Sequence, residues 1–229
     1  MPGERKKGIT YSLMKQNRFD FLIFDLDGTL IDSKRDIALS VNHALEACGL
    51  EALSLETVSG FVGHGASNLI RSCLGEKHQE VFEKALKYFR RYYLEHLLDF
   101  TGLYPGVREI LEFTGDIPKA VVTNKPLEHS LRILEGLGIR KFFCDILGGD
   151  SPRAKKPAPD ALLHLVEKHA VPCPRTLMVG DSLIDLQAGK SAGIRTCAVT
   201  YGFVKKEDLI RAEPDYIIDT VLELRAILI

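Results

Sequence analysis

The sequence predicts an α/β protein: a Rossmann-like, doubly wound parallel sheet with an α-helical cap inserted after its first strand. Strand and helix signals alternate from about residue 105 to the C-terminus, as in a parallel sheet covered by helices on both faces. Residues 19–26 form an earlier strand that is apolar on both faces, as buried parallel strands are. The distance from this strand to the next, which ends near Thr123, far exceeds the roughly 30 residues of a plain βαβ unit. The residues in excess of a βαβ unit therefore predict an inserted region.

The inserted region, residues 32–104, contains helix signals and no strand signal. Ser33 and Asp36 have the spacing of a capping box at the start of its first helix. Its apolar residues recur at helical intervals. The predicted helices begin at Ser33, after Gly65 and near Gln79, and the last of them extends to about Phe100. We therefore expect three helices that pack on each other.

The second half alternates regularly. Its predicted strands cover residues 119–123, 145–148, 176–180, 196–200 and 216–218, and its predicted helices cover residues 127–138, 158–169, 183–192 and 221–228. The domain organisation predicted from these elements is an N-terminal extension at 1–18, a catalytic core at 19–31 and 105–229, and a helical cap at 32–104.

Composition excludes several protein classes. The chain has 229 residues with 30 Lys and Arg against 31 Asp and Glu, so it lacks the basic excess of nucleic-acid or lipid-surface proteins. No apolar run approaches the roughly 18 residues of a membrane span. The five cysteines are odd in number and widely spaced, which favours neither a zinc site nor a disulfide framework. We expect a cytoplasmic protein with no nucleic-acid or membrane partner, and the sequence indicates no oligomeric state.

Polar side chains follow each of the central strands at the point where the strand ends. They are Asp25, Asp27, Thr123, Asn124, Lys156, Asp181 and Asp185. Ligands of doubly wound sheets bind beyond these carboxyl ends. Each residue also has an ordinary explanation, such as a turn aspartate, a helix cap or an exposed lysine. Together those explanations require independent coincidences at successive strand ends, so a shared site is favoured.

The cluster has a definite chemistry. Asp25, Asp27 and Asp181 are like charges brought close together, and their repulsion requires a cation. Carboxylate oxygens are hard ligands, so Mg²⁺ is the expected ion and a phosphate oxygen an expected co-ligand. Thr123 and Lys156 offer a donor and a positive charge to the other phosphate oxygens. One carboxylate is then left to attack phosphorus and form an aspartyl-phosphate, and one is left for proton transfer.

Four segments resemble the motifs of the haloacid dehalogenase-like hydrolase superfamily, in the same order and spacing. They are DLDGTLIDS at 25–33, VTNKP at 122–126, KPAP at 156–159 and GDSLID at 180–185. Within the superfamily, the combination looks most like phosphoglycolate phosphatases with an inserted helical cap. The resemblance covers about residues 19–229.

The resemblance implies a role for each matching residue. Asp25 would be the nucleophile and Asp27 the general acid, then base. Mg²⁺ would be held by the side chains of Asp25 and Asp181 and the carbonyl oxygen of Asp27, and Asp185 would support it. Thr123 and Asn124 would bind the phosphoryl group. Lys156, which directly precedes the proline, would neutralise it, although Lys155 is the alternative.

Other functions compete with a phosphatase. A dehalogenase needs no Mg²⁺ and generally lacks the second aspartate, so Asp27 argues against it. A β-phosphoglucomutase-like phosphotransferase shares Asp25 and Asp27 but ranks lower because Asn124 and Lys125 look more like a phosphatase. Pyrophosphate hydrolysis stays open. A receiver-like phospho-acceptor module, the non-enzyme alternative, would not explain the long insertion.

The cap is expected to select the substrate, a small phosphorylated metabolite for which 2-phosphoglycolate is the best candidate. Gly63-His64-Gly65 precedes a helix whose N-terminal N–H groups could bind the carboxylate of such a substrate. The alternative is that the two glycines only form a turn. His64 and Arg71 are the candidate substrate contacts, with Gly63 as part of the loop.

Overall fold

The structure is a computed structural model that describes residues 18–228. The expected N-terminal extension, apart from Arg18, and Ile229 lie outside the described residues. The strands are β1 Phe21–Phe24, β2 Ile31–Asp32, β3 Gly102–Leu103, β4 Lys119–Val122, β5 Asp145–Leu147, β6 Thr176–Gly180, β7 Arg195–Val199 and β8 Tyr216–Ile218. The α-helices are α1 Lys34–Ala47, α2 Leu55–Ser59, α3 Ala66–Leu74, α4 Phe82–Glu95, α5 Val107–Phe113, α6 Leu127–Gly136, α7 Asp160–Lys168, α8 Leu183–Ser191, α9 Lys206–Arg211 and α10 Leu224–Leu228.

Six strands form one parallel sheet in the order β5-β4-β1-β6-β7-β8. Strand β1 lies between β4 and β6, so that Phe24 pairs with Val121 on one side and Val179 on the other. The chain builds one half of the sheet through β4 and β5 and then crosses back to β6. This reversal makes the carboxyl end of β1 the switch point at which such sheets bind ligands. The predicted α/β fold is confirmed.

Both faces of the sheet are buried. Leu22 and Phe24 pack in one apolar cluster, whereas Phe21 and Ile23 pack in a second one on the opposite face, and all four side chains have no exposed surface. Successive side chains of a strand point to opposite faces, which explains the division. Each such side chain contributes roughly 1.5–3 kcal/mol through burial.

The region after β1 is mostly helical, as expected, but it is bounded by two short strands that the sequence did not predict. Strands β2 and β3 pair antiparallel, with Ile31 opposite Leu103, so both ends of the inserted helices meet at one place. Helix α4 packs along α1. The predicted long third helix is shorter than expected, because a 3₁₀ segment, Glu76–Val81, precedes α4 and α4 ends at Glu95.

The predicted capping box at Ser33 and Asp36 is wrong. The Ser33 hydroxyl donates to Asp27 instead of capping α1. The buried Asp36 carboxylate accepts hydrogen bonds from the backbone N–H groups of Phe100 and Thr101 and from the Thr101 hydroxyl. Asp36 thus fastens the start of the inserted region to its end.

Three helices, α2, α5 and α9, were missed because each has only five to seven residues and shows too few repeats of the helical period. Apart from the third helix of the inserted region, the other predicted helices and strands are present, with ends that differ by one to three residues. The largest difference is at the last helix, where a 3₁₀ segment, Val221–Glu223, precedes α10. Within residues 18–228, no helix combines the length and apolarity needed to cross a membrane.

Candidate active site

A cleft lies between the carboxyl edge of the sheet and the inserted helices. Its sheet side contains Asp25 after β1, Thr123 after β4 and Asp181 after β6. Its other wall comes from α1, α3 and α4 and from the loop before α3. The strand ends therefore meet where the order of the sheet predicts a ligand site.

Three buried carboxylates lie together beneath the cleft. Asp25, Asp181 and Asp185 each offer an oxygen, and these oxygens all lie within 4.8 Å of one another. The Lys156 ammonium is 2.8 Å from Asp25 Oδ1 and 2.6 Å from Asp185 Oδ1. Lys155 is exposed, so the structure places Lys156, and not its neighbour, against the carboxylates.

One ammonium faces three carboxylates, and the electrostatics reflect that excess. Burial, followed by the charge of Asp185, raises the pKa of Asp25 to about 7. Burial and the charge of Asp25 likewise raise the pKa of Asp181. Burial opposes a charged Lys156, but the two carboxylates beside it outweigh burial and raise its pKa. A second cation would relieve this repulsion, and a set of carboxylate oxygens suits a hard divalent ion such as Mg²⁺.

Close backbone packing fixes Asp181. Its Oδ1 accepts a hydrogen bond from the Thr29 hydroxyl at 3.1 Å, and its Oδ2 accepts one from the Phe203 N–H at 2.7 Å. Gly28 has φ +84°, and a Cβ there would lie 2.1 Å from Asp181 Oδ2. Only glycine fits at this position, because it tolerates both the positive φ and the close approach.

Asp27 has different partners from the other carboxylates. Its Oδ1 accepts a hydrogen bond from the Ser33 hydroxyl and lies 2.9 Å from the Lys125 ammonium. Its carboxylate does not belong to the group formed by Asp25, Asp181 and Asp185. This separation leaves the Asp27 side chain available for proton transfer.

Thr123 and Asn124 both line the cleft, but their side chains differ in what they can bind. The Thr123 hydroxyl accepts from the Lys125 N–H at 3.2 Å and keeps its own proton for a ligand. The Asn124 amide donates to the carbonyls of Gly63 and Lys156 and accepts from the Lys156 N–H. The Asn124 side chain therefore holds Lys156 and the Gly63 loop in place, and the binding of the phosphoryl group by Asn124 stays a prediction.

The loop before α3 reaches the cleft through Val62 and two of its glycines. Gly63 and Gly65 line it, whereas the His64 side chain is exposed. The exposed Arg71 guanidinium lies over the Phe82 ring, 3.7 Å from its centroid. The structure thus does not bring His64 or Arg71 to the cleft, because both project from the outer side of the loop and helix.

Sequence reasoning gave no role to three polar residues that line the cleft: Lys125, Tyr93 and His129. Tyr93 belongs to the apolar stripe of α4, so the sequence pattern indicated a core residue and gave no role to its hydroxyl. Lys125 lies inside the second motif, directly after Asn124, and this position could have indicated that it belongs to the site. His129 lies in the first turn of α6, and no local pattern distinguishes it.

Comparison with known proteins agrees with this geometry. The family model described as haloacid dehalogenase-like hydrolase matches residues 22–199, which include the four motifs and the inserted helices. The chain belongs to this family. The family predicted from the motifs is therefore confirmed.

Relatives within the haloacid dehalogenase-like family match over nearly the whole chain. A protein of Vibrio parahaemolyticus named phosphoglycolate phosphatase is 39% identical over 220 residues, which cover 92% of this chain and 96% of the relative. One of Photobacterium profundum with the same name is 36% identical and covers 89% of this chain and 93% of the relative. The crystal structure of "a predicted phosphoglycolate phosphatase" from Haemophilus somnus is similar, with a TM-score of 0.86, 35% identity, and coverage of 92% of this chain and 98% of the other.

Proposed function

We propose that the protein hydrolyses 2-phosphoglycolate, a small phosphate monoester, in a Mg²⁺-dependent reaction that proceeds through a phosphorylated Asp25. The observation that supports this most is the buried group of Asp25, Asp181 and Asp185 around Lys156 at the carboxyl edge of the sheet. The predicted enzyme class, a phosphatase, is confirmed by the family and by the relatives. The relatives' name supports the choice of substrate.

The first step forms a bond between an Asp25 oxygen and phosphorus while the bond from phosphorus to the ester oxygen breaks. Asp27 donates a proton to the departing oxygen, as a positioned carboxylic acid can. Lys156, 2.8 Å from Asp25 Oδ1, and the Thr123 hydroxyl stabilise charge on the phosphoryl oxygens. A Mg²⁺ ion held by Asp25, Asp181 and the Asp27 carbonyl, with Asp185 in support, would supply further positive charge at those oxygens.

The second step regenerates the enzyme. Asp27, now deprotonated, takes a proton from water, whose oxygen attacks phosphorus and releases inorganic phosphate from Asp25. The Ser33 hydroxyl and the Lys125 ammonium, both in contact with Asp27 Oδ1, hold its carboxylate in one place through both steps. A fixed position is what general acid–base catalysis requires of this side chain.

Residues 32–104 act as a cap in this proposal. The paired strands β2 and β3 bring both ends of the inserted region to one point beside the site. From there, Gly63 and Tyr93 reach the core residues Asn124 and Lys125. Closure of this region would exclude bulk water while Asp25 is phosphorylated, and opening would release the product. A cytoplasmic location stays a prediction.

A panel of phosphate esters with Mg²⁺ tests the proposed substrate. We expect the largest kcat/KM for 2-phosphoglycolate, with lower values for p-nitrophenyl phosphate, sugar phosphates and pyrophosphate. Pyrophosphate as the best substrate would overturn the proposal. So would transfer of the phosphoryl group to a sugar phosphate instead of water, which is the phosphotransferase alternative.

A further inference from the structure

The cleft contains a buried ammonium group that the phosphatase steps leave with one unused hydrogen-bond donor. Lys125 Nζ donates to Asp27 Oδ1 and to the Tyr93 hydroxyl. A lysine ammonium has three N–H donors, and the third has no acceptor within residues 18–228. The side chain is only 6% exposed, so bulk water is largely excluded from it.

Two neighbouring side chains also have a hydrogen-bond donor without an acceptor in the part of the chain that the structure describes. The Tyr93 hydroxyl accepts from Lys125, but its own proton has no acceptor among the described residues. Neither ring nitrogen of His129 has a hydrogen-bond partner there, and its ring packs edge-on against Tyr93. Burial and the charge of Lys125 lower the pKa of His129 to about 4, so near pH 7 the ring is neutral and offers one N–H.

Three unused donors therefore line one part of the cleft. The three residues are largely buried, and a buried donor whose hydrogen bond stays unmade costs about 1–3 kcal/mol unless water or a ligand in the cleft accepts from it. A ligand that brings an acceptor removes that cost. The positive charge of Lys125 indicates that the acceptor is an anion.

The position of Lys125 relates this anion to the reacting phosphate. In the proposed mechanism, Asp27 hydrogen-bonds the ester oxygen that leaves phosphorus. The Lys125 ammonium lies 2.9 Å from Asp27 Oδ1. A substituent one carbon beyond the ester oxygen therefore lies within reach of Lys125, whereas the proposed mechanism assigns Lys156 to the phosphoryl oxygens beside Asp25.

We propose that Lys125, together with Tyr93 and His129, binds a carboxylate that the substrate carries one carbon from its phosphate ester oxygen. The proposal rests on the proposed phosphatase function and makes these residues the ones that select phosphorylated hydroxy acids over uncharged esters. Tyr93 comes from the inserted helix α4 and Lys125 from the core. The carboxylate would thus join the two sides of the cleft when the substrate binds.

A pair of nearly isosteric substrates tests this selection. Wild-type kcat/KM is measured at pH 7.5 for 2-phosphoglycolate and for its neutral amide, with p-nitrophenyl phosphate as a reference. We expect wild type to prefer the carboxylate by about tenfold or more, as for a hydrogen bond to a charged group. Lys125→Met should remove most of this preference, Lys125→Arg should restore part of it, and Tyr93→Phe should reduce it. The ratio of the kcat/KM values for acid and amide is unaffected by a loss of activity that is common to both esters, such as one caused by losing the contact between Lys125 and Asp27.

Lys155→Met is the matched control, since it removes the same charge from an exposed lysine close to the cleft, and it should keep the preference. Equal wild-type rates for acid and amide, or an unchanged ratio in Lys125→Met, would overturn the subsite. If Lys125→Met turns over neither ester, calorimetric dissociation constants of the two esters give the same ratio. Failure of the phosphatase proposal is distinct, because wild type would then hydrolyse none of the three esters.

Discussion

Lys156 provides the sharpest test of the site's electrostatics. Its ammonium is buried between Asp25 and Asp185, and the side chain is only 1% exposed. Lys156→Met keeps the apolar stem and removes the charge, so that the carboxylates lose their cation. The neighbouring Lys155 is exposed and offers the same substitution one residue away.

The expected loss of stability follows from burial. Removal of one partner from a buried ion pair costs about 3–5 kcal/mol because the other charge is left uncompensated. In metal-free protein, Asp25 can reduce that loss by binding a proton. The pKa of Asp25, already raised by burial, should rise further in the variant, and a raised carboxylate pKa means stability that declines as pH increases. We therefore expect a smaller loss at pH 6 than at pH 8. Lys155→Met should change the free energy of unfolding by no more than about 0.5 kcal/mol.

Urea denaturation followed by circular dichroism, with chelator present, measures both variants against wild type. Addition of Mg²⁺ should stabilise Lys156→Met, because the ion binds the carboxylates of the folded protein only. The reasoning would be refuted if Lys156→Met lost less than about 1 kcal/mol at pH 8, or if Lys155→Met lost as much. A loss that was larger at pH 6 would contradict the assigned direction of the pKa shift.

Three further predictions concern the carboxylates. In chelator, the free energy of unfolding of wild type should fall as pH rises from about 4 to about 7. The reason is that folded Asp25, with its pKa near 7, keeps a proton that the unfolded chain releases. Thermal melts of Asp25→Asn should lack this part of the decline of stability with pH. Asp27→Asn should lower kcat by about 10²–10⁴-fold. The loss should be smaller for p-nitrophenyl phosphate, because its leaving group needs no proton. Equal losses for poor and good leaving groups in stopped assays would mean that Asp27 only activates water. Chelation should abolish hydrolysis and Mg²⁺ restore it, as a continuous phosphate-release assay would show; full activity in chelator would remove the ion from the proposal.

The order of the elements and the strand-end residues could be predicted because each depends on local signals. The apolar run of β1 and the turn at Asp27 and Gly28 are contiguous in sequence. Once the alternation indicates a parallel sheet, topology alone brings Asp25 and Asp181 to one edge. The structure agrees with both steps.

Side-chain partners could not be predicted, since they depend on contacts between distant segments. Asp36 has the sequence spacing of a helix cap, yet two backbone N–H groups near Thr101 compete successfully for its carboxylate. No local pattern shows that the Asn124 side-chain amide donates to the carbonyls of Gly63 and Lys156, which are 61 and 32 residues away in sequence. Tyr93 fits an apolar stripe, and only packing shows that its hydroxyl meets Lys125.

Chemical trapping of Asp25 tests the central claim most directly. The Asp27→Asn variant, which lacks the base for the second step, is mixed with Mg²⁺ and p-nitrophenyl phosphate, whose leaving group needs no proton from Asp27, then quenched in acid and reduced with borohydride. Borohydride converts an aspartyl-phosphate to homoserine, which peptide mass spectrometry locates. We predict homoserine at position 25 only, and none when Asp25 is also replaced by Asn. Homoserine at another aspartate, or continued turnover with none at position 25, would contradict a phosphorylated Asp25.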